Sequence, residues 1–141
     1  MGYREIPHTA DWALHVWGRD LPELFAEAAR GMYALAGAQA DEATAPRQAS
    51  EAARKLEVQA PDAESLLVAF LSELLYVQEQ EQLLFEEFEI EITPGEIWRL
   101  SMQARPQPLR NLVKAIKAVT FHNLAIRRSE DGVETEIVFD V

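Results

Sequence analysis

Residues 88–104 read FEIEITPGEIWRLSMQA and predict a β-hairpin. Phe88, Ile90 and Ile92 alternate with glutamates, which is the period of a strand with one buried face. Pro94-Gly95 is a turn signal. The apolar alternation then resumes at Trp98, Leu100, Met102 and Ala104. The outward residues of the second strand would lie opposite the glutamates of the first; they are Arg99, Gln103 and Arg105.

Two long helices are predicted earlier in the chain. Asp20 and Glu23 have the spacing of a capping box, and Gly37 supplies a left-handed stop, so the first helix lies between them. Its apolar stripe is Leu21, Leu24, Phe25, Ala28, Ala29, Met32 and Leu35. The second helix begins near Asp62 and ends in the polar run 78–82. Its stripe consists of the pairs Leu66/Leu67, Phe70/Leu71 and Leu74/Leu75. Both stripes are wide enough to be core faces against a sheet.

Further strands are predicted around these helices. Leu14 and Val16 form one short apolar face, and Leu56 and Val58 form another. The last predicted strands are 119–127 and 133–141, with a tight turn at Asp131-Gly132. Helices segregated from late hairpins indicate an α+β fold. We expect a single domain over residues 1–141, with a mixed β-sheet and two long helices packed on one face.

The charge is unevenly distributed along the chain. The 141 residues carry a net charge of −11, yet residues 99–128 contain no Asp or Glu. The basic residues of that segment are Arg99, Arg105, Arg110, Lys114, Lys117, Arg127 and Arg128. A short helix predicted over 109–118 would place Arg110, Lys114 and Lys117 on one side. The segment is either a solvated face paired with acidic neighbours or a docking surface for an acidic partner, and composition leaves both open.

Composition also excludes several classes of protein. With no cysteine, the chain has no disulfide framework, no thiolate zinc site and no thiol catalysis. No apolar run is long enough to span a bilayer, and the N-terminus lacks a secretory signal, so a cytoplasmic protein without a membrane partner is expected. The acidic total argues against strong independent nucleic-acid binding. No Gly-rich phosphate loop and no nucleophile elbow is present.

Carboxylates at the two ends of the chain form the main candidate site. Asp11 closes the segment His8-Thr9-Ala10-Asp11 just before the first predicted strand, where it is either a local turn residue or a ligand. Asp140 and the α-carboxylate of Val141 lie at the end of the last strand. If Asp11 lies on the neighbouring strand end, three carboxylates converge. An all-oxygen anionic site suits Ca²⁺, Mg²⁺ or Mn²⁺. The alternative is a solvent-exposed, disordered C-terminus.

The histidines offer a weaker alternative. A lone histidine in a strand, such as His122, is more often a satisfied core or turn residue than a ligand. His8, His15 and His122 would have to converge to complete a two-histidine, one-carboxylate site for iron or zinc. His15 alternates within a strand away from His8, which disfavours that arrangement.

Five segments, in order, resemble the archease family across nearly the whole chain. They are HTAD at 8–11, ELFxxAAxxM at 23–32, LLxxFLxELL at 66–75, KAVTFH at 117–122 and the terminal Asp140-Val141. The chain departs from the family at Phe121, where Tyr is usual; the aromatic ring is retained and the hydroxyl group is absent.

The resemblance implies a function as well as a fold. Archeases are small, non-enzymatic activators of the RtcB-type tRNA-splicing RNA ligase, which uses GTP and Mn²⁺. They promote guanylylation and repeated turnover of that ligase. The resemblance also implies a metal site built from Asp11, Asp140 and the α-carboxylate of Val141.

Two other functions remain open from the sequence. The first is a chaperone or modulator of a tRNA methyltransferase, which some members of the family are described as. The second is a metal-dependent phosphoesterase using Asp11, Asp140 and His122, although the chain offers few ligands for a two-metal site and no good nucleophile. His8, Arg110, Lys114, Lys117 and His122 are expected to support the metal site or to contact the partner.

Overall fold

The protein is described by a computed structural model over residues 1–6, 12–41 and 53–141. In chain order the described elements are β1 (Gly2–Ile6), β2 (Trp12–Gly18), α1 (Leu21–Ala36), β3 (Gln39–Ala40), β4 (Arg54–Ala60), α2 (Ala63–Glu81), β5 (Leu83–Thr93), β6 (Trp98–Asn111), β7 (Ala118–Val119), β8 (Arg127–Ser129) and β9 (Gly132–Asp140). The α+β class and both long helices are thereby confirmed.

The ends of helix α1 follow from its capping residues. The carboxylate of Asp20 accepts a hydrogen bond from the Glu23 amide at 3.0 Å. Glu23 reaches back one residue beyond the cap and accepts the Arg19 amide at 2.7 Å. At the other end Gly37 has φ 67°, a left-handed conformation that costs glycine little. The predicted capping signals are confirmed.

Helix α2 begins and ends where predicted, but its C-cap is not a glycine as in α1. Asp62 is the N-cap and accepts the Ser65 amide at 2.7 Å. The C-cap is Gln82, which adopts φ 56° without being glycine. Its side-chain amide donates to the carbonyl of Glu79 at 3.0 Å, which satisfies one of the last carbonyls of the helix.

The strands form two sheets rather than the single mixed sheet that was expected. β1, β2, β9 and β7 follow one another in the first sheet, with β8 also paired to β9. In the second sheet the long strand β6 pairs with β3, β4 and β5. Every pairing among the described strands is antiparallel. The helices also do not lie on one face of one sheet, because each packs against strands of both.

One hydrophobic core joins the sheets and helices. Phe25 of α1 and Phe70 of α2 stack with ring centroids 5.9 Å apart, and Phe88 of β5 packs edge-on to Phe70 at 6.4 Å. Gly31 lets α1 approach β2 closely, because a Cβ there would lie 2.5 Å from a methyl carbon of Leu14. Buried Tyr33 accepts the Phe85 amide at 3.3 Å, and its burial raises the pKa of the phenol.

The predicted helix over 109–118 is wrong. Strand β6 continues to Asn111, and residues 112–117 have no regular structure. Their amides are used in tertiary hydrogen bonds: those of Val113 and Lys114 donate to the Ala36 carbonyl at 3.0 Å, and that of Lys117 donates to Asp140. A helix would need those amides for bonds four residues back along the chain.

The predicted strand over 119–127 is correct only at its ends. β7 stops at Val119 and β8 starts at Arg127. Between them Asn123 has φ 53°, and the Leu124 amide donates to the Phe121 carbonyl at 3.0 Å, so the chain turns. Of the loop predicted over 38–52, Gln39–Ala40 forms β3, and residues 42–52 lie outside the described residues.

Replacing Phe70 by alanine should lower the free energy of unfolding by about 3–5 kcal/mol, because this fully buried ring contacts aromatic rings of α1 and β5. Urea denaturation measures the loss, with Phe70→Leu as a milder variant. Tyr76→Ala on the exposed face of the same helix is the control and should stay near the wild-type value. Equal losses at Phe70 and Tyr76 would contradict this packing.

The Asp62 cap should make stability depend on pH. The Ser65 amide lowers the pKa of the Asp62 carboxyl below its ordinary value of 3.8. A carboxyl with a lowered pKa contributes stability above its ordinary pKa, and the contribution is lost as the pH falls through the folded value. Asp62→Asn keeps an acceptor but does not titrate. The difference in unfolding free energy between the two proteins should therefore shrink in acid, and a pH-independent difference would contradict the assignment.

Candidate metal and partner-contact site

Strands β2 and β9 are antiparallel neighbours in the first sheet, so the start of β2 lies beside the end of β9. Trp12, the first residue of β2, pairs with Phe139. Phe139 is fully buried, whereas the next residue, Asp140, is exposed. Val141 is partly buried and packs against the core. The end of β9 is therefore anchored by its apolar residues while the carboxylate of Asp140 lies in solvent.

The other side of β9 is bounded by β7. Ala118 pairs with Asp140 and Val119 with Phe139. The Lys117 amide donates to the Asp140 carbonyl at 2.8 Å, which fixes the backbone of Lys117 beside Asp140. The carboxylate of Asp140 forms no hydrogen bond or ion pair with any residue in the described ranges. Within that part of the protein the exposed carboxylate is therefore solvated by water and not held by a side chain.

Lys114 contacts the first residue of β2, on the side of β9 opposite to β7. Its ammonium is 5.0 Å from the centroid of the Trp12 ring, a cation–π contact. Neither Lys114 nor Lys117 forms an ion pair within the described part of the chain. The contact between Trp12 and Lys114 joins residues about a hundred positions apart, so no local pattern in the sequence could have indicated it.

Arg110 lies on β6 and not on a shared helix with the two lysines. It is nevertheless close to one of them, because Arg110 and Lys117 line a single groove of about 530 Å³ against the C-terminal half of α2. Gln78 lines this groove as well, and its buried Oε1 has no hydrogen-bond partner.

His122 lies beyond β7 and is exposed. Its amide donates to Oγ1 of Thr120 at 3.2 Å, and its Nε2 lies 3.3 Å from Nδ2 of Asn123. Thr120 in turn donates from its amide and its hydroxyl to the Val138 carbonyl, both at 3.0 Å. His122 is therefore held near the last strand through Thr120.

His15 takes part in a different contact. Its ring lies 5.2 Å from that of Trp17, and its Nε2 is 3.8 Å from a carboxylate oxygen of Glu134. His8 and Asp11 lie outside the described residues. Across residues 1–6, 12–41 and 53–141, no group of three acidic or histidine side chains is arranged to hold a metal ion.

The basic segment does not form one patch. Arg105 forms ion pairs with Glu86 at 3.8 Å and Glu87 at 3.5 Å on the neighbouring strand β5. This part of the segment is therefore a solvated face paired with acidic neighbours. Arg127 lies opposite Glu134 in the other sheet. Lys114 and Lys117, near the end of β9, have no acidic partner within the described chain, and neither do Arg99, Arg110 and Arg128.

The fold and the end of β9 define a small α+β protein with two antiparallel sheets packed on two helices. We call the end of β9 the tip; it carries Asp140 and is flanked by Lys114 and Lys117. The family model described as "Archease protein family (MTH1598/TM1083)" matches residues 3–141. The chain belongs to the archease family. No helix within the described residues is long and apolar enough to cross a membrane.

Curated relatives and solved structures agree with this assignment. The protein archease of Methanosarcina barkeri is 31% identical over 99% of this chain and 95% of its own length. That of Methanopyrus kandleri is also 31% identical, over the full length of both chains. The solution structure of protein 1598 of Methanobacterium thermoautotrophicum matches with a TM-score of 0.77 and 26% identity, covering 99% of each chain.

A second solved structure supports the fold alone. It is an archease of Thermotoga maritima, described as a possible chaperone, with a TM-score of 0.61 and 21% identity over 98% of this chain and 96% of that one.

Replacing Asp140 by asparagine should leave the fold intact. Because its carboxylate has no partner in the described chain, the free energy of unfolding without added divalent cation should change by less than about 0.5 kcal/mol. Thermal and urea denaturation in the presence of a chelator measure this. A loss above about 1 kcal/mol would show that the carboxylate is a structural hydrogen-bond acceptor instead.

Proposed function

We propose that this archease is a non-enzymatic, metal-binding activator of an RtcB-type RNA ligase in tRNA splicing and RNA repair. In this proposal it promotes guanylylation of the ligase and allows repeated turnovers, and the GTP is used by the ligase. The proposed setting is the cytoplasm. Membership of the family supports the assignment, and the arrangement at the end of β9 supports the metal-binding part.

The proposed ligands are Asp11, Asp140 and the α-carboxylate of Val141. The observation that carries the proposal is the pairing of Trp12 with Phe139. One peptide bond joins Asp11 to Trp12, and one joins Phe139 to Asp140. The neighbours of both aspartates in the sequence are therefore paired, which supports assigning the two carboxylates to one proposed site.

The chemistry of the three groups favours a hard divalent cation. Asp140 and the α-carboxylate of Val141 belong to adjacent residues, and two anions held that closely repel each other unless a cation or several donors compensate them. Oxygen donors alone suit Ca²⁺, Mg²⁺ or Mn²⁺. The two nearby lysines are too few to neutralise three carboxylates, so a bound cation adds the missing charge.

The exposed basic residues complete the proposal as partner contacts. Lys114 and Lys117 flank the tip of β9, and Arg110 shares a groove with Lys117. His122, held through Thr120, is a further contact, and His8 is proposed as one on the grounds of the family motif. A chaperone role towards a tRNA methyltransferase is the second candidate, since the Thermotoga maritima relative is described as a possible chaperone.

The test is ligation by the cognate ligase at substrate excess, with and without this protein. The wild type should convert single turnover into multiple turnover, whereas Asp11→Asn and Asp140→Asn should abolish the stimulation because each removes a ligand charge without removing volume. Asp131→Asn, in the turn at the opposite end of β9, is the matched control and should stimulate normally. Full stimulation by both variants at wild-type stability would overturn the metal site.

Lengthening the chain tests the third ligand. One alanine added after Val141 moves the α-carboxylate away from Asp140 and should impair stimulation and weaken Mn²⁺ binding, measured by calorimetry. Adding one alanine before Met1 is the control. Undiminished Mn²⁺ affinity in the first variant would remove the α-carboxylate from the site.

A further inference from the structure

Residues 112–122, which we call the cationic strap, carry two of the most exposed large apolar side chains among the described residues. Val113 is 78% exposed and Phe121 is 59% exposed. Between them in the chain lie Lys114 and Lys117, both exposed. A surface that combines apolar anchors with charges of one sign is typical of a site for another macromolecule.

The strap is fixed to the body of the protein by its backbone. The amides of Val113 and Lys114 donate to the carbonyl at the end of α1, and those of Lys117 and Thr120 donate to β9, at 2.8 and 3.0 Å. These bonds tie both ends and the middle of the strap. Its side chains are therefore presented from an ordered backbone, which reduces the entropy lost when a partner binds.

The strap lies next to the candidate metal site. Lys114 rests on the ring of Trp12, and Val119, two residues before Phe121, pairs with Phe139. Trp12 pairs with the same Phe139 from the opposite side, so the backbones of Trp12 and Val119 are about 10 Å apart across the sheet. A partner that covers the strap would also cover the exposed carboxylate of Asp140.

The charge of the strap favours an acidic protein surface over RNA. The strap contains Lys114 and Lys117 and no acidic residue, in a chain whose net charge is −11. The negative net charge of the whole protein repels a long polyphosphate. A few carboxylates on a partner protein would interact only with the nearby lysines of the strap. Val113 has no π-face on which a base could stack, but it fits an apolar pocket, as Phe121 does.

We propose that the cationic strap is a protein-docking surface, with Val113 and Phe121 entering apolar pockets of the partner and Lys114 and Lys117 meeting carboxylates at their rim. The inference rests on the proposed function, which makes the RtcB-type ligase the partner. Docking through the strap would place Asp140, one of the proposed cation ligands, against the ligase.

The experiment measures binding of the full chain to the cognate ligase by biolayer interferometry, beside the ligation assay. Phe121→Ser and Val113→Ser should each weaken affinity about tenfold or more through faster dissociation. Lys114→Glu with Lys117→Glu should slow association and remove most of its salt dependence. Thermal denaturation verifies that each variant is folded.

Matched controls separate the strap from the rest of the surface. Tyr76→Ser replaces an aromatic residue on α2 that is also 59% exposed, and Lys55→Glu with Arg99→Glu reverses two charges on the second sheet. Both controls should bind as the wild type does. Asp140→Asn should bind the ligase with wild-type affinity but fail to stimulate it.

The outcomes distinguish the two proposals. If the wild type stimulates and the strap variants bind normally, the docking surface is wrong while the proposed function stands. If the wild type neither binds nor stimulates the ligase, the proposed function fails. If the wild type binds a single-stranded oligoribonucleotide without ligase, and the lysine reversal abolishes that binding while ligase binding persists, the strap is an RNA surface and the protein-docking proposal is overturned.

Discussion

The antiparallel pairing of β2 with β9 is the constraint on which the rest of the structure depends. It runs without a register shift from Gly18 opposite Val133 to Trp12 opposite Phe139. The buried residues Leu14, Val16 and Ile137 hold this ladder against the helices. A slip of one residue would turn every one of these side chains to the other face, so core packing determines the register. The same register determines which residues meet at the exposed tip.

The end of β9 thereby combines an anchored backbone with exposed charges. Phe139 is fully buried, yet the following carboxylate has no partner in the described chain, and the adjacent lysines point their charges at a tryptophan ring or into solvent. In the proposed function a cation would bind the carboxylates and an acidic partner would meet the lysines, and neither contact requires a change of fold.

Local signals in the sequence were enough for the helices and for the β5–β6 hairpin, because caps, stripes and a Pro-Gly turn act over a few residues. They were not enough for the cationic strap, whose amides bond to Ala36, Val138 and Asp140, or for the division of the strands into two sheets. For the site, the position of Asp140 at a strand end was predictable from alternation. The pairing of Phe139 with Trp12 and the contact of Lys114 with the Trp12 ring were not predictable, since they join segments that are distant in the sequence.

Paramagnetic broadening by Mn²⁺ in amide NMR spectra tests most directly whether the two chain ends share one cation. If the pairing of Trp12 with Phe139 creates the site, substoichiometric Mn²⁺ broadens the amide signals of Trp12, Lys117, Ala118 and Asp140 first, and Asp140→Asn removes the effect. The signal of Gly95, in the distant β5–β6 turn, stays sharp. Broadening centred on the glutamates of β5, or spread evenly over the protein, would contradict a cation bound between the chain ends.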